Sequence, residues 1–369
     1  MDDLLLFTPG PVPIEQHIRE LGERQIPYNR TESFSALTHE VISGLQYIFQ
    51  TQGAVALLTA SGTAAMEATV LNFFDASDRA IVINGGTFGQ RWCDLCEIHS
   101  IAYDEIEVPL GADLDLSDLN DRLCGNRYSA LLVNAHETSV GQLYDIEAIG
   151  QIARRHGLFF VVDAISSICA DRFSMDAWQV DVAILSSQKA LALPPGLSFV
   201  AMNDSAKARL LRGPPGSMYF DLGNYLANQQ RGQLPYTPAI GLLIQLQQRL
   251  LDIRHKTLPA LVIEHQARAE SFRAAFNDPS FAAFSILPTR SSNAMTALLC
   301  EGVDAFEVVE ELQNRHNIVV APSGGHLKSK VIRVAHMGAQ NDADVASLIS
   351  ALRGIASHAA HSLLERVEA

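Results

Sequence analysis

Short, wholly apolar stretches alternate with longer mixed ones through the first two hundred residues of the chain. The apolar runs at 55–59, 80–83, 130–133, 158–162, 182–185 and 197–201 have the length of strands rather than helices. Between them, 64–74, 88–98 and 145–155 carry the composition and apolar spacing of helices. Strands apolar on both faces and separated by helices predict an α/β unit, a mainly parallel sheet sandwiched by helices. A long helix over 238–253 leads out of it. Beyond 257 the pattern changes, with helices at 258–277, 305–315 and 342–360 and strands at 294–299, 318–320 and 331–334. This second pattern predicts a smaller α+β unit. The expected organisation is an N-terminal arm over 1–20, a large domain over 21–255 and a small C-terminal domain over 256–369. No repeat or low-complexity segment interrupts it.

Composition narrows the partners. The chain has 369 residues, 48% of them hydrophobic and 18% charged, enough for two sizeable cores. A formal net charge of −14 argues against nucleic acid or an anionic membrane surface, which both demand clustered Lys and Arg. Its cations are mostly arginines, which bind carboxylate and phosphate in a two-pronged geometry, so small acidic substrates fit. Met1-Asp-Asp-Leu-Leu-Leu places acid where a secretory leader needs base, and no run approaches a membrane span. Five scattered cysteines suit a reducing, cytoplasmic setting. The lone Cys93-x-x-Cys96 lacks the second pair that a zinc site requires, so no metal is expected.

A parallel sheet receives its ligand at the carboxyl ends of its strands, and chemically distinctive residues gather there. Lys189 is the first lysine in the chain, in the apolar context Asp181-Val-Ala-Ile-Leu-Ser-Ser-Gln-Lys189. Burial there lowers an ammonium pKa and yields a nucleophilic amine, the group that pyridoxal phosphate (PLP) enzymes use. Taken alone, such a lysine could equally snorkel from a strand end. Asp163 ends the strand Phe159-Phe-Val-Val-Asp163, where a carboxylate needs a partner such as a pyridinium nitrogen, or simply caps the next turn. Ser61-Gly62-Thr63 between strand and helix makes a phosphate cradle or an ordinary N-cap. Phe88, in Gly85-Gly-Thr-Phe-Gly-Gln-Arg91, is a stacking ring or a core residue. Tyr236 and Thr237 offer hydroxyls at a helix start. Arg333 alternates with β-branched residues in Val331-Ile-Arg-Val334 and points either at a carboxylate or at solvent.

In this order, with Lys189 following Asp163 by 26 positions, the signals fit one chemistry. The chain resembles the class V, fold type I aminotransferases, the group of alanine–glyoxylate, serine–glyoxylate and 2-aminoethylphosphonate–pyruvate aminotransferases. The resemblance runs through Phe7-Thr-Pro-Gly-Pro11, Ser61-Gly-Thr-Ala-Ala-Met-Glu67, Asn84-Gly-Gly-Thr-Phe-Gly-Gln-Arg91, His136-Glu-Thr-Ser139, Val162-Asp-Ala164, Ser187-Gln-Lys-Ala190, Tyr236-Thr-Pro238 and Arg333-Val-Ala-His-Met-Gly338.

It implies a PLP cofactor held as an aldimine on Lys189, whose freed amine then moves the substrate proton. Asp163 pairs with the pyridine nitrogen, and Phe88 stacks on the ring where many relatives carry tryptophan. Ser61, Gly62, Thr63 and Gln188 hold the phosphate, and Thr138 lies near the phenolic oxygen. Tyr236 and Thr237 reach the neighbouring subunit's phosphate, which implies a homodimer. Arg333 clamps the substrate carboxylate, with Arg30, Arg91 and Tyr219 as further pocket candidates and His336 as a packing residue.

The implied reaction moves an amino group from alanine, serine or 2-aminoethylphosphonate to pyruvate or glyoxylate. A PLP lyase or desulfurase on the same fold is the alternative, although the turn Val320–Leu327 carries no cysteine. A non-catalytic homologue conflicts with the retained Lys189, Asp163 and Ser61. A nicotinamide enzyme conflicts with the glycine spacing at 85–89.

Overall fold

The computed structural model describes residues 4–368 except 126, 211, 212 and 214, with side chains described as far as 358. Seven strands form the central sheet in the order Ala54–Leu58, Ser198–Met202, Val182–Ser186, Phe159–Asp163, Ala130–Asn134, Arg79–Asn84 and Ala102–Glu107. The last five pair in parallel. Ser198–Met202 runs antiparallel to both its neighbours and is the one reversed strand. Four of the strands, Ala130–Asn134, Phe159–Asp163, Val182–Ser186 and Ser198–Met202, are buried along their whole length, which is why each reads as a continuous apolar run. Each fully buried Val, Leu, Ile or Phe contributes about 1.5–3 kcal/mol, so this stack is the main source of cohesion.

Helices pack against the sheet. Gly62–Phe73 packs on Val182–Ser186 and Ser198–Met202, and Thr87–Ile98 packs on Arg79–Asn84 and Ala130–Asn134. A second, antiparallel sheet follows in the order Phe284–Ile286, Met295–Cys300, Val331–Ala335, Ala321–Pro322. It has its own core around Phe272, Phe281, Leu298, Leu312, Ile332 and Leu352. Among the described residues, no helix is long and apolar enough to cross a membrane.

The start of the chain belongs to this second core. Leu5–Leu6 pairs in parallel with Ile318–Val319, and Phe7 is buried with its carbonyl accepting from the Ala335 N–H at 2.7 Å. The following turn then reaches the central sheet. Gly10 adopts φ +133° where a β-carbon would come within 2.9 Å of the Lys189 side chain, so glycine is required twice over.

Candidate active site

Lys189 sits in the connection between Val182–Ser186 and the antiparallel Ser198–Met202, and that connection is tied to itself. The Ser187 N–H donates to the Leu197 carbonyl at 3.0 Å, and its hydroxyl donates to the Pro194 carbonyl at 2.7 Å. The lysine amine donates to the Pro9 carbonyl at 2.6 Å. Burial, with a smaller contribution from the Arg333 charge, brings its pKa down to about 8, against a weaker upward pull from Asp163. A neutral amine is therefore accessible near neutrality. Its reaction with an aldehyde should accelerate as pH rises through about 8 and level off above it. The rate of cofactor uptake by stripped protein measures this; a midpoint near the ordinary lysine value would contradict it.

Asp163 ends its strand 5% exposed, in register with Asn134 on the next strand. Its Oδ2 accepts from Asn134 Nδ2 and its Oδ1 from the Ile165 N–H, both at 2.9 Å. Burial pushes its pKa up to about 6, partly offset by the Ile165 N–H and the Arg91 charge. Such a carboxylate is poised for a cationic partner.

The same cavity, about 120 Å³, is lined by Ser61, Gly62, Thr63, Phe88, Arg91, Thr138, Asp163, Gln188 and Lys189. The expected residues from five separate strand ends thus converge. Larger cavities of about 840 and 430 Å³ lie elsewhere and contain none of them, so size is no guide here. Ser61 caps helix Gly62–Phe73, its hydroxyl accepting from the Ala64 N–H at 3.4 Å. Arg91 donates to Thr63 Oγ1 at 2.9 Å and lies 5.0 Å from the centre of the Phe88 ring. A helix N-terminus beside an arginine makes this the anion-accepting end of the cavity. Thr138 Oγ1 lies 2.8 Å from the Ser166 hydroxyl.

Asn134, His136, Ser166 and Ser186 also line the cavity, and sequence reasoning passed over them as individual site residues. Asn134 had a legible signal, as a polar residue ending an apolar strand beside Asp163. Buried Asn134 Oδ1, both His136 ring nitrogens and Ser186 Oγ have no hydrogen-bond partner among the described residues. Each such orphan costs about 1–3 kcal/mol, so their gathering at one cavity calls for a polar ligand there. Burial lowers the His136 pKa to about 3, leaving a neutral ring. Acceptors, a buried carboxylate, an amine and an anion-binding helix end suit the ring, aldehyde and phosphate of PLP. The residues present fit that group.

The remaining candidates lie outside this lining. Arg333 is half-buried and donates to the Pro322 carbonyl at 2.9 and 3.2 Å and to the Thr138 carbonyl at 3.4 Å, close enough for its charge to act on Lys189. Tyr236 stacks on Tyr219, ring centres 5.2 Å apart, and donates to the Met218 carbonyl. Tyr219 donates to the Thr59 carbonyl, and Thr237 is exposed. Arg30 is exposed and donates to the Gln233 side chain and the Leu234 carbonyl, both at 3.1 Å. His336 is buried against Phe272 and bonded to Thr296, in keeping with packing. Among the described residues, no group of three or more His, Cys, Asp or Glu gathers as a metal site.

A mainly parallel sheet with a half-buried lysine and a buried carboxylate at its strand ends defines the fold type I class of PLP-dependent transferases. Residues 23–347 match the family described as aminotransferase class-V, and the chain belongs to that family. Family members are PLP-dependent aminotransferases. The chain is 34% identical to the small subunit of a soluble hydrogenase from Synechococcus sp., over 96% of this chain and 93% of that protein. It is 28% identical to an L-aspartate–glyoxylate aminotransferase of Paracoccus denitrificans, covering 95% of this chain and 89% of that one. The crystal structure of an alanine–glyoxylate aminotransferase from Nostoc sp. superposes with a TM-score of 0.91 at 28% identity, covering 96% of each chain.

Proposed function

We propose that this aminotransferase moves an amino group from a small donor to glyoxylate or pyruvate. Alanine and serine are the preferred donors, followed by 2-aminoethylphosphonate. The observation that carries the reading is the Lys189 amine, with its lowered pKa, in one cavity with Asp163 and the Ser61–Thr63 helix start. Relatives whose names specify glyoxylate as acceptor support the choice of acceptor.

When bound, PLP supplies an aldehyde for amine exchange and a ring that accepts electrons from a breaking bond. Lys189 would hold the cofactor, and its Nζ would carry the proton taken from the donor's α-carbon. Asp163, as a carboxylate, keeps a proton on the ring nitrogen. Ser61, Gly62, Thr63 and Gln188 would hold the phosphate, Arg91 would add positive charge beside them, and Phe88 would cover the ring. Thr138 would direct its hydroxyl toward the cofactor's phenolic oxygen.

Arg333 orients the substrate carboxylate; Arg30 and Tyr219, placed beside residues 234–236 and outside the cavity lining of their own chain, are further pocket candidates that a second copy would bring into reach. Arg333→Ala should raise KM for the keto acid by about a hundredfold, the loss of a charge-assisted pair, while PLP affinity stays within a few-fold. Steady-state kinetics at saturating PLP check this; an unchanged KM removes the clamp. Tyr236 and Thr237 do not line the Lys189 cavity of their own chain, which supports reading them as contacts to the cofactor of a second copy in a homodimer. A desulfurase would need a thiolate, whereas burial pushes the half-buried Cys300 thiol up to about 12.

The deciding experiment follows visible absorbance of the PLP-loaded protein as L-alanine, L-serine and 2-aminoethylphosphonate are added in turn. Loss of the yellow colour with one donor, and its return with glyoxylate or pyruvate, is the expected result. A yellow protein indifferent to all three would refute this choice of donors and move the reaction toward a lyase.

A further inference from the structure

We propose that Glu137 is a positioning residue that holds Phe88 against the cofactor ring through the backbone of the helix on which Phe88 sits. This inference rests on the reading of Phe88 as the ring-covering residue.

Helix Thr87–Ile98 begins at Gly86, which has no side chain with which to cap it. The cap comes instead from a distant turn. Glu137 Oε2 accepts from the Gly89 N–H at 2.9 Å, and Oε1 accepts from the Phe88 N–H at 3.3 Å. The Ser139 hydroxyl donates to Glu137 Oε1 at 2.5 Å and accepts from the Thr87 N–H at 3.2 Å. Three consecutive N–H groups of the first turn are thereby satisfied by one carboxylate and its hydroxyl neighbour. The Ser139 N–H closes the network on Oε1 at 3.1 Å.

Glu137 is 0% exposed, so this carboxylate has no water to fall back on. The fit leaves no slack. A β-carbon on Gly86 would collide with Ser139 Oγ and lie 3.0 Å from the Glu137 carboxylate, and one on Gly85 would collide with the Tyr144 hydroxyl. A buried charge at a helix N-terminus, bonded to the N–H of the stacking residue itself, fixes where that ring points. The same turn meets the second sheet: the Ser323 hydroxyl donates to the Ser139 carbonyl at 2.7 Å, and Arg333 reaches the Thr138 carbonyl.

Glu137→Gln places an amide NH2 against these donors while keeping the shape. In the loaded protein, PLP affinity should fall about tenfold, the equivalent of one charge-assisted hydrogen bond. Visible circular dichroism per bound PLP should change, because that signal reports how the ring is seated. Phe88→Ala should alter the dichroism similarly, and the double variant should be no worse than the weaker single. A purely structural Glu137 would lower the melting temperature yet leave affinity and dichroism per bound PLP at wild-type values, and that result overturns the proposal. Additive losses in the double variant overturn it too. If Glu137→Gln does not fold, Ser139→Ala, which retains the carboxylate but removes the link to Thr87, should shift the dichroism; an unchanged spectrum overturns the proposal. A wild-type protein that takes up no PLP would instead refute the reading of the site.

Discussion

Lys189→Ala should take up PLP without the visible absorbance of the wild-type protein and should lose transamination by about a thousandfold or more, the combined loss of nucleophile and proton carrier. The fold should survive. The connection around Lys189 is held by Ser187, Pro194 and Leu197, and the amine itself contributes one bond, to the Pro9 carbonyl. Because burial disfavours the ammonium, its removal should leave the melting temperature unchanged or raised. Absorbance, turnover and thermal denaturation of one preparation test all three. Retained absorbance together with turnover would sink the assignment of Lys189.

Asp163→Asn should keep its cofactor and its fold but slow donor-driven loss of colour by about two to three orders of magnitude, because the ring nitrogen loses its anionic partner. The neighbourhood can absorb the change. The new amide oxygen still accepts from the Ile165 N–H, and its NH2 faces Asn134, whose own Oδ1 has no partner among the described residues and can turn to accept it. The pH dependence has a definite sign. With the Asp163 pKa raised to about 6, the carboxylate is lost as pH falls through 6, so wild-type PLP affinity should weaken there. The variant should show no such step. Stopped-flow absorbance and a pH series of PLP titrations test this, and wild-type rates in the variant would reduce Asp163 to a cap.

The architecture was legible where burial is two-sided. Strands such as Phe159–Asp163 and Val182–Ser186 pack on both faces, so their runs are unbroken and their ends place the chemistry. Ala102–Glu107 was not legible. It is the outer strand beside Arg79–Asn84, largely open to solvent, and its sequence Ala-Tyr-Asp-Glu-Ile-Glu has no apolar run. The direction of Ser198–Met202 was hidden for another reason, since a strand buried on both faces reads the same way up or down. Helix Glu32–Phe49 was missed although its signal was present: Thr31 caps it, and Phe34, Thr38, Val41, Leu45 and Ile48 form its buried stripe.

At the site, residues ending apolar strands could be read, because the chain must place them at the carboxyl edge. Glu137 could not. Its partners lie 48 and 49 positions away, and only the folded turn shows that it caps another segment's helix. Arg30 and Arg91 looked alike in sequence. Only Arg91 is on a helix whose start opens into the cavity, so only it reaches the Phe88 face.

The reversed strand has a further consequence for Lys189. Parallel neighbours would be joined by a long crossover, whereas Val182–Ser186 returns through residues 187–197 into the antiparallel Ser198–Met202, so the lysine lies in a connection anchored at both ends by adjacent strands. The Ser187 N–H, bonded to the Leu197 carbonyl at the base of that connection, should be among the slower amides in the protein to exchange with deuterium. Whatever distance the amine covers during turnover must come from its four-carbon stem rather than from a moving loop. The catalytic stroke is then limited to what one side chain can swing, and substrates must be delivered to within that arc.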